Sequence, residues 1–187
     1  MSTKPTVGRV EIRIAGEGGQ GVILAGIILA EAAAIYDHKN AVQTQSYGPE
    51  ARGGASKSEV VISSEEIDHP EVLSSDILVA LSQEAADRFS ASMKKDGLMI
   101  VDEEKVGRVI FMRTMRLPIT RLAVETTGRE ITTNVVALGA LVGATGVVTR
   151  EAIEKAVCAR APRGTAEINL KALAAGFSAV EKAHIPR

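Results

Sequence analysis

The sequence is poor in cysteine and in aromatic side chains, and both shortages exclude classes of function. Cys158 is the only cysteine. A four-iron cluster or a cysteine-built zinc site requires several thiolates, so this chain by itself holds neither. One cysteine forms no disulfide framework, which favours the cytoplasm. Tryptophan is absent and aromatic residues make up 3% of the chain, which leaves no stacking platform for nucleic-acid bases.

Metal-binding residues are equally sparse. Cys158 follows the helical pattern of residues 152–158, which predicts a buried and unreactive thiol. The three histidines, His38, His69 and His184, are far apart and form no ligand spacing. We therefore predict no metal site in this chain.

Charge and hydropathy exclude two further kinds of partner. The formal net charge is −1, so the overall charge of the chain does not favour binding of nucleic acid. The apolar run at residues 22–30 is followed at once by Glu31 and is too short to span a bilayer. The first residues lack the apolar core of a targeting peptide. We expect one cytoplasmic domain over residues 1–187, with no membrane and no nucleic-acid partner.

A glycine-rich segment, residues 16–21 (GEGGQG), lies between a strand-like run at 10–15 and a helix-like run at 22–36. Its spacing fits G-x-G-x-x-G, the dinucleotide fingerprint. Glycine can adopt positive φ and lets backbone N–H groups approach a ligand, while the following helix N-terminus adds partial positive charge. The pattern favours an anion-binding turn. A tight packing corner with no ligand remains the alternative.

The next predicted strand, residues 41–45, argues against an ordinary dinucleotide dehydrogenase. Such enzymes place a carboxylate at the end of the second strand to bind the ribose hydroxyl. Here that strand ends without one, and Glu50 comes only after Gly48 and Pro49.

A second glycine-rich loop follows this strand at residues 46–54 (SYGPEARGG). If the first two strands are parallel neighbours, the two loops face each other across one crevice. Arg52 then supplies a planar cation for phosphate or carboxylate, unless it pairs with Glu50 or caps a surface helix. The candidate cofactor-binding residues are Gly16, Gly18, Gly19, Gln20, Gly21, Tyr47, Arg52, Gly53 and Gly54.

Alternating apolar runs and helical patterns predict an α/β fold with three layers, a mostly parallel sheet and helices on both faces. Strands are predicted over residues 10–15, 41–45, 56–63, 77–81, 98–101 and 109–112. Helices are predicted over residues 21–35, 83–93, 133–143 and 165–183, with two more beginning near 118–120 and at 149.

Local signals at the helices refine this prediction. Ser82 is an expected N-cap, Thr149 is expected to begin its helix, and Asn134 is expected to cap its own helix. Gly139 and Gly143 lie on one helix face, which favours close packing of a second helix over ligand contact. The last helix carries one apolar stripe, which either closes the core or docks on another subunit.

Together the two loops resemble those of the gamma subunit of 2-oxoacid:ferredoxin oxidoreductases, and residues 58–63, 70–81, 133–141 and 169–172 extend the resemblance over nearly the whole chain. The resemblance implies a complex that uses thiamine diphosphate, magnesium, iron–sulfur clusters and coenzyme A. Such a complex converts a 2-oxoacid oxidatively to an acyl-CoA and reduces ferredoxin. The gamma piece is then an accessory subunit that holds none of these cofactors alone.

The resemblance also implies the partners, namely the alpha, beta and possibly delta subunits, with ferredoxin meeting other subunits. The second loop looks most like versions acting on 2-oxoglutarate or branched 2-oxoacids, and we favour 2-oxoglutarate. The residues show no convincing set of nucleophile, base and orienting group, so no catalytic residue is assigned. A gamma subunit of the 2-oxoisovalerate or pyruvate enzyme, an independent nucleotide-binding oxidoreductase and a purely structural protein remain alternatives.

Overall fold

A six-stranded sheet forms the centre of the fold in the computed structural model, which describes residues 8–46 and 55–183. Its strands are β1 (Val10–Gly16), β2 (Asn40–Ser46), β3 (Ser56–Ser63), β4 (Ser75–Ala80), β5 (Met93–Asp102) and β6 (Thr114–Leu117). The α-helices are α1 (Val22–Glu31), α2 (Gln83–Phe89), α3 (Ile119–Thr127), α4 (Thr133–Thr145), α5 (Arg150–Arg160) and α6 (Ala166–Lys182). A π-helical turn, Ala32–Tyr36, extends α1.

The strand order is β2-β3-β1-β4-β5-β6. Strands β1, β4, β5 and β6 pair in parallel, whereas β3 runs antiparallel to both β1 and β2. One face of the sheet is covered by the main core cluster, to which α1, α3, α4, α5 and α6 contribute, and α2 packs on the other face. The predicted three-layer α/β fold with a mostly parallel sheet is confirmed.

One predicted strand is wrong. Residues 109–112 do not join the sheet, and β6 begins after them, at Thr114. The side chains of Val109 and Phe111 pack against the core on the α2 side, while Ile110 and Met112 are 89% and 97% exposed. The segment therefore has the in–out alternation of a strand, but it crosses over the α2 side of the core.

The second helix is shorter than predicted. It ends at Phe89, and a 3-10 turn (Ser90–Ser92) leads directly into β5. The Ser92 hydroxyl donates to the Phe89 carbonyl over 3.0 Å and accepts from the buried Arg13 guanidinium over 2.5 Å. Arg13 lies on β1, far from Ser92 in the sequence, so the residues around Ser92 do not predict this contact.

Two local predictions at helix starts are confirmed. The Ser82 hydroxyl accepts from the Ala85 N–H, and the Thr149 hydroxyl accepts from the Ala152 N–H. Each bond satisfies one of the amide donors that the first turn of a helix leaves open.

Helices α4 and α6 pack closely through glycines. A Cβ on Gly139 would lie 2.1 Å from the Leu173 carbonyl oxygen, and one on Gly176 would lie 2.1 Å from that of Val136. This confirms helix packing as the role of Gly139. The α6 stripe lies in the main core cluster, so its buried part closes the core.

The prediction that Cys158 is buried is wrong, because its side chain is exposed on α5. The buried face of α5 consists of Ala152, Ile153, Ala156 and Val157. Position 158 follows the last of these by about 100° of helical rotation, which turns it outward. No described helix is long and apolar enough to cross a membrane.

Candidate functional site

The anchors of both glycine-rich loops lie at one edge of the sheet. Gly16, where β1 ends, pairs with Ser56 at the start of β3, and Ser46, where β2 ends, pairs with Lys57. The first loop thus leaves the sheet beside the points where the second loop begins and ends. Tyr47, Arg52, Gly53 and Gly54 belong to residues 47–54, which lie outside the described residues.

The expectation that β1 and β2 are neighbours is wrong, since β3 lies between them. The chain returns from β2 into β3 as an antiparallel hairpin, which inserts β3 next to β1. The end of β2 is therefore not the position that would meet a ribose bound at β1. The missing carboxylate there is no reason to exclude a dinucleotide.

Gln20 fixes the shape of the first loop from within. Its Oε1 accepts from the Glu17 N–H over 2.7 Å, and its Nε2 donates to the Leu81 carbonyl over 3.0 Å. A Cβ on Gly16 would lie 2.3 Å from the same Oε1. Gly16 and Gln20 thus interlock, and the Gln20 amide is used inside the protein at the corner where β4 ends.

The other three glycines of the loop differ in what they require. Gly19 and Gly21 have φ angles of 91° and 70°, which side chains rarely adopt, and a Cβ on Gly21 would lie 2.6 Å from the Asn134 Nδ2. Gly18 has no positive φ, and a Cβ there would have no neighbour within 4 Å. Neither backbone conformation nor internal packing requires glycine at position 18, which opens away from the described protein.

Among the described residues, the N-terminus of α1 lacks the usual internal partners. Gly21 is its N-cap residue, and the helix has no side-chain cap and no acidic residue in the first turn. The first N–H groups of a helix need acceptors from elsewhere, and together with the helix dipole they favour an anion. The first loop therefore presents open amide donors next to an open backbone position.

Asn134, on α4, supports this turn through a hydrogen bond. Its Nδ2 donates to the Gly21 carbonyl over 3.2 Å, and the residue is only 4% exposed. The predicted capping role is wrong, because Thr132 is the N-cap residue of α4 and Asn134 lies within the helix. The contact joins residues 113 positions apart, and no local signal in the sequence indicates it.

A cleft of about 310 Å³ adjoins the loop and is partly lined by Gly19 and Gly21. Its apolar walls come from four helices and include Leu24, Ile28, Val135, Val157 and Ile168. Such a volume is near the lower end of small-molecule sites, which span roughly 300–1,000 Å³.

The two arginines at this cleft differ in whether a carboxylate of the described residues neutralises their charge. Arg160 pairs with Glu31, whose carboxylate accepts from the Arg160 Nε over 2.9 Å and also from Nη2. The Glu31 hydrogen bond and charge raise the pKa of Arg160 above its ordinary value. Arg129 is exposed, and no ion pair joins it to another residue of the described ranges. Its charge is available to an external anion.

The described residues of the site offer groups that bind a ligand. Within residues 8–46 and 55–183, no group of three or more histidine, cysteine, aspartate or glutamate side chains could hold a metal ion. Glu17 is exposed on the loop, and its backbone N–H and carbonyl both bond to Gln20. The arrangement offers amide donors, a guanidinium and an apolar cleft, which together recognise an anionic ligand with an apolar part.

Known proteins share this sequence and fold. Residues 11–179 match the family described as pyruvate ferredoxin/flavodoxin oxidoreductase. The chain is 51% identical over 178 residues to the 2-oxoglutarate synthase subunit KorC of Methanocaldococcus jannaschii, covering 93% of this chain and 95% of that protein. The crystal structure of a keto/oxoacid ferredoxin oxidoreductase gamma subunit from Geobacter sulfurreducens superposes with a TM-score of 0.88 at 51% identity, covering 95% of this chain and 99% of that one.

A more distant relative is a longer protein. The ketoisovalerate oxidoreductase subunit VorA of Methanothermobacter marburgensis is 34% identical over 178 residues, which cover 92% of this chain but 37% of that protein. The residues that the family model matches, 11–179, include the strands and helices that build the glycine-loop edge. This chain belongs to the pyruvate ferredoxin/flavodoxin oxidoreductase family.

Proposed function

We propose that this chain is the gamma subunit of a 2-oxoglutarate:ferredoxin oxidoreductase, which converts 2-oxoglutarate and coenzyme A to succinyl-CoA and carbon dioxide while reducing ferredoxin. Similarity to a 2-oxoglutarate synthase subunit along nearly the whole length supports the substrate. We place it in the cytoplasm as one domain over residues 1–187. Its partners there are the alpha, beta and, where present, delta subunits, and ferredoxin contacts those other chains.

Within this complex, the proposed role of the chain is to receive the phosphate groups of coenzyme A. The observation that carries this role is Gly18, which is open to approach beside the uncapped N-terminus of α1. Backbone N–H groups in such a turn bind phosphate without a charged side chain. Gly16, Gln20 and Gly21 serve the same role indirectly, because their packing fixes the turn.

The redox cofactors belong to the companion chains in this proposal. Thiamine diphosphate with magnesium would supply the decarboxylation chemistry there, and iron–sulfur clusters the path for electrons. Cys158 is the only cysteine of this chain. One thiolate does not hold a four-iron cluster. Its own contribution is to orient the acyl acceptor and to shield part of the crevice.

The substrate is tested by assembling the chain with its companion subunits and measuring ferredoxin reduction. We expect kcat/KM for 2-oxoglutarate to exceed that for 2-oxoisovalerate and pyruvate by at least about tenfold, which corresponds to ~1.4 kcal/mol. A complex lacking this chain is the control. A higher kcat/KM with 2-oxoisovalerate would instead support the relationship to the ketoisovalerate enzymes.

The proposed binding role of Arg52 gives a separate prediction. In the assembled enzyme, Arg52→Ala is expected to raise the KM for coenzyme A roughly tenfold, since a charge-assisted bond to phosphate contributes about 1.5–3 kcal/mol. The KM for 2-oxoglutarate should change little. Arg52→Lys keeps the positive charge but not the planar guanidinium. Its KM for coenzyme A should lie between those of the wild type and Arg52→Ala. An unchanged coenzyme A dependence in Arg52→Ala would contradict the role.

A further inference from the structure

The face of the sheet that carries α2 is thinly covered in the described part of the chain. Five α-helices contribute to the core cluster on the opposite face, whereas α2, with seven residues, is the only described α-helix packed on this one. The connection from β5 to β6 completes the cover, because Val106, Val109 and Phe111 pack against the same cluster. We call residues 107–113 of this connection the crossover segment. Its outward side chains are therefore part of the surface of this face.

The crossover segment has the side-chain alternation of a strand, but no described strand pairs with it. Val109 and Phe111 pack inward, whereas Ile110 and Met112 are almost fully exposed. Among the described residues, the backbone groups of Val109, Ile110 and Met112 form no hydrogen bond. Unpaired backbone groups on an extended chain are a template for another strand. Two large apolar side chains beside them add area that a partner can bury.

The first part of the segment is held in place by a side chain that acts as a strand would. The Arg108 N–H donates to Gln83 Oε1 over 3.1 Å, and the Arg108 carbonyl accepts from Gln83 Nε2 over 2.9 Å. Both backbone groups of Arg108 are thus occupied, in the way that a residue of a β-ladder exchanges two bonds with its partner. This pair of bonds fixes the segment on α2. The unpaired groups begin directly after it, at Val109.

The charge around the segment favours an acidic partner over a second copy of this chain. Residues 105–124 include no aspartate or glutamate. Their basic residues are Lys105, Arg108, Arg113, Arg116 and Arg121. Lys105 and Arg121 pair with carboxylates of other segments. Two copies joined through this segment would bring like charges together, which opposes binding, whereas a partner with carboxylates gains from the same charges.

Two of these arginines retain charge for such a partner. The side chain of Arg108 is 77% exposed and approaches the Asp87 carboxylate only to 4.0 Å. Arg116 is exposed, and its guanidinium donates to the carbonyls of Val106 and Glu103 rather than to a carboxylate. Positions 108, 110 and 112 lie on the same side of an extended chain. The outward side therefore reads as one cation followed by two apolar groups.

We propose that the crossover segment docks a companion subunit, which adds an extended stretch with a carboxylate near Arg108 and apolar side chains beside Ile110 and Met112. Main-chain bonds to the unpaired groups give affinity, and the three outward side chains give register and specificity. The inference rests on the proposed function, which supplies the companion subunits. It identifies the surface of this chain that they contact.

The first test measures the Kd between this chain and companion subunits purified without it. The double variant Ile110→Ser/Met112→Ser is expected to raise the Kd at least about tenfold, because it removes the apolar anchors. Leu73→Ser, at an apolar side chain that is 79% exposed outside the segment, is the matched control and should keep the wild-type Kd. All three side chains are exposed, so each variant should unfold at the wild-type urea concentration. An unchanged Kd in the double variant would overturn the inference.

The acidic character of the partner is tested at Arg108. Arg108→Glu should raise the Kd more than Arg108→Gln, because it places a negative charge next to the partner's carboxylate. Both variants keep the backbone bonds to Gln83. Equal Kd values for the wild type and Arg108→Glu would contradict an acidic partner.

A second experiment identifies the occupant in the assembled enzyme. A photo-crosslinking amino acid replaces Met112, and mass spectrometry locates the crosslinked residue. We expect a companion subunit, crosslinked within a stretch that carries aspartate or glutamate. A crosslink to a second copy of this chain, a crosslinked stretch without acidic residues, or no crosslink to another chain would overturn the inference.

Ferredoxin reduction with 2-oxoglutarate by the same enzyme separates this inference from the proposed function. Turnover that requires this chain, combined with no crosslink from position 112, would leave the proposed function standing and remove only the docking surface. Companion subunits that do not bind the wild-type chain at all would contradict both.

Discussion

Replacing Gly139 with alanine is expected to lower the free energy of unfolding of this chain by about 2 kcal/mol. The new Cβ would lie 2.1 Å from the Leu173 carbonyl oxygen, so α4 and α6 must move apart. Overpacking costs roughly 1–3 kcal/mol, and a backbone obstacle places this case at the upper end. The better helix propensity of alanine returns at most about 1 kcal/mol. Urea denaturation of the full chain measures the difference.

A graded control lies on the same helix. A Cβ on Gly143 would meet the Phe177 Cδ1 at 3.0 Å, which is a side-chain atom that can give way. Gly143→Ala should therefore change the stability by less than about 1 kcal/mol. Gly176→Ala, whose Cβ would lie 2.1 Å from the Val136 carbonyl oxygen, should repeat the Gly139→Ala result. Equal effects at Gly139 and Gly143 would contradict the packing of α4 on α6 described here.

The largest effect on activity is expected from Gly18→Asp. The backbone accepts a side chain at this position, and a Cβ has no neighbour within 4 Å, so the loop should keep its shape. The carboxylate would repel an anion bound at the α1 N-terminus, since like charges a few ångströms apart near a protein surface interact by several kcal/mol. We expect the KM for coenzyme A to rise at least tenfold in the assembled enzyme, with the KM for 2-oxoglutarate little changed.

Two variants make this result interpretable. Gly8→Asp introduces the same charge before β1, at the opposite end of the strand, where a Cβ also has no neighbour within 4 Å. It should leave both KM values unchanged. Gly18→Ala adds volume without charge and should have a smaller effect than Gly18→Asp. A rise in both KM values for Gly18→Asp would indicate damage to the whole subunit rather than loss of an anion site.

The sequence predicts the parts of the fold that depend on neighbours along the chain. The bounds of β3 are correct to the residue, the Ser82 hydroxyl caps its helix as expected, and Thr149 begins α5 as its N-cap residue, as expected. The physical cause of each feature lies within a few residues of the chain. For the strand it is burial of both faces, and for the helix starts it is an amide N–H of the first turn that needs an acceptor. Distant contacts do not alter these choices.

Two of the failures depend on distant contacts, and the third depends on the rotation of a helix. Residues 109–112 have the composition of a strand, but they cross the α2 side of the core while Thr114 pairs with Met99. The order of β2 and β3 follows from antiparallel pairing of two strands that are successive in the chain. Cys158 is exposed because the buried stripe of α5 ends one residue earlier.

The site shows the same division. Its glycines are visible in the sequence because their spacing is local, and the shared sheet edge follows from the common direction of β1 and β2. The contact between Asn134 and Gly21 and the cleft that contains Arg129 come from helices packed much later in the chain. Sequence spacing therefore indicates an anion loop but not the features that surround it.

The most direct measurement is amide hydrogen exchange of the peptide covering residues 16–24 in the assembled enzyme, with and without saturating coenzyme A. Amide hydrogens that bind phosphate become protected from exchange with solvent. Slower exchange in this peptide, and its loss in Gly18→Asp at the same coenzyme A concentration, is the predicted result. Unchanged exchange in wild-type enzyme under conditions where coenzyme A supports full turnover would contradict the account.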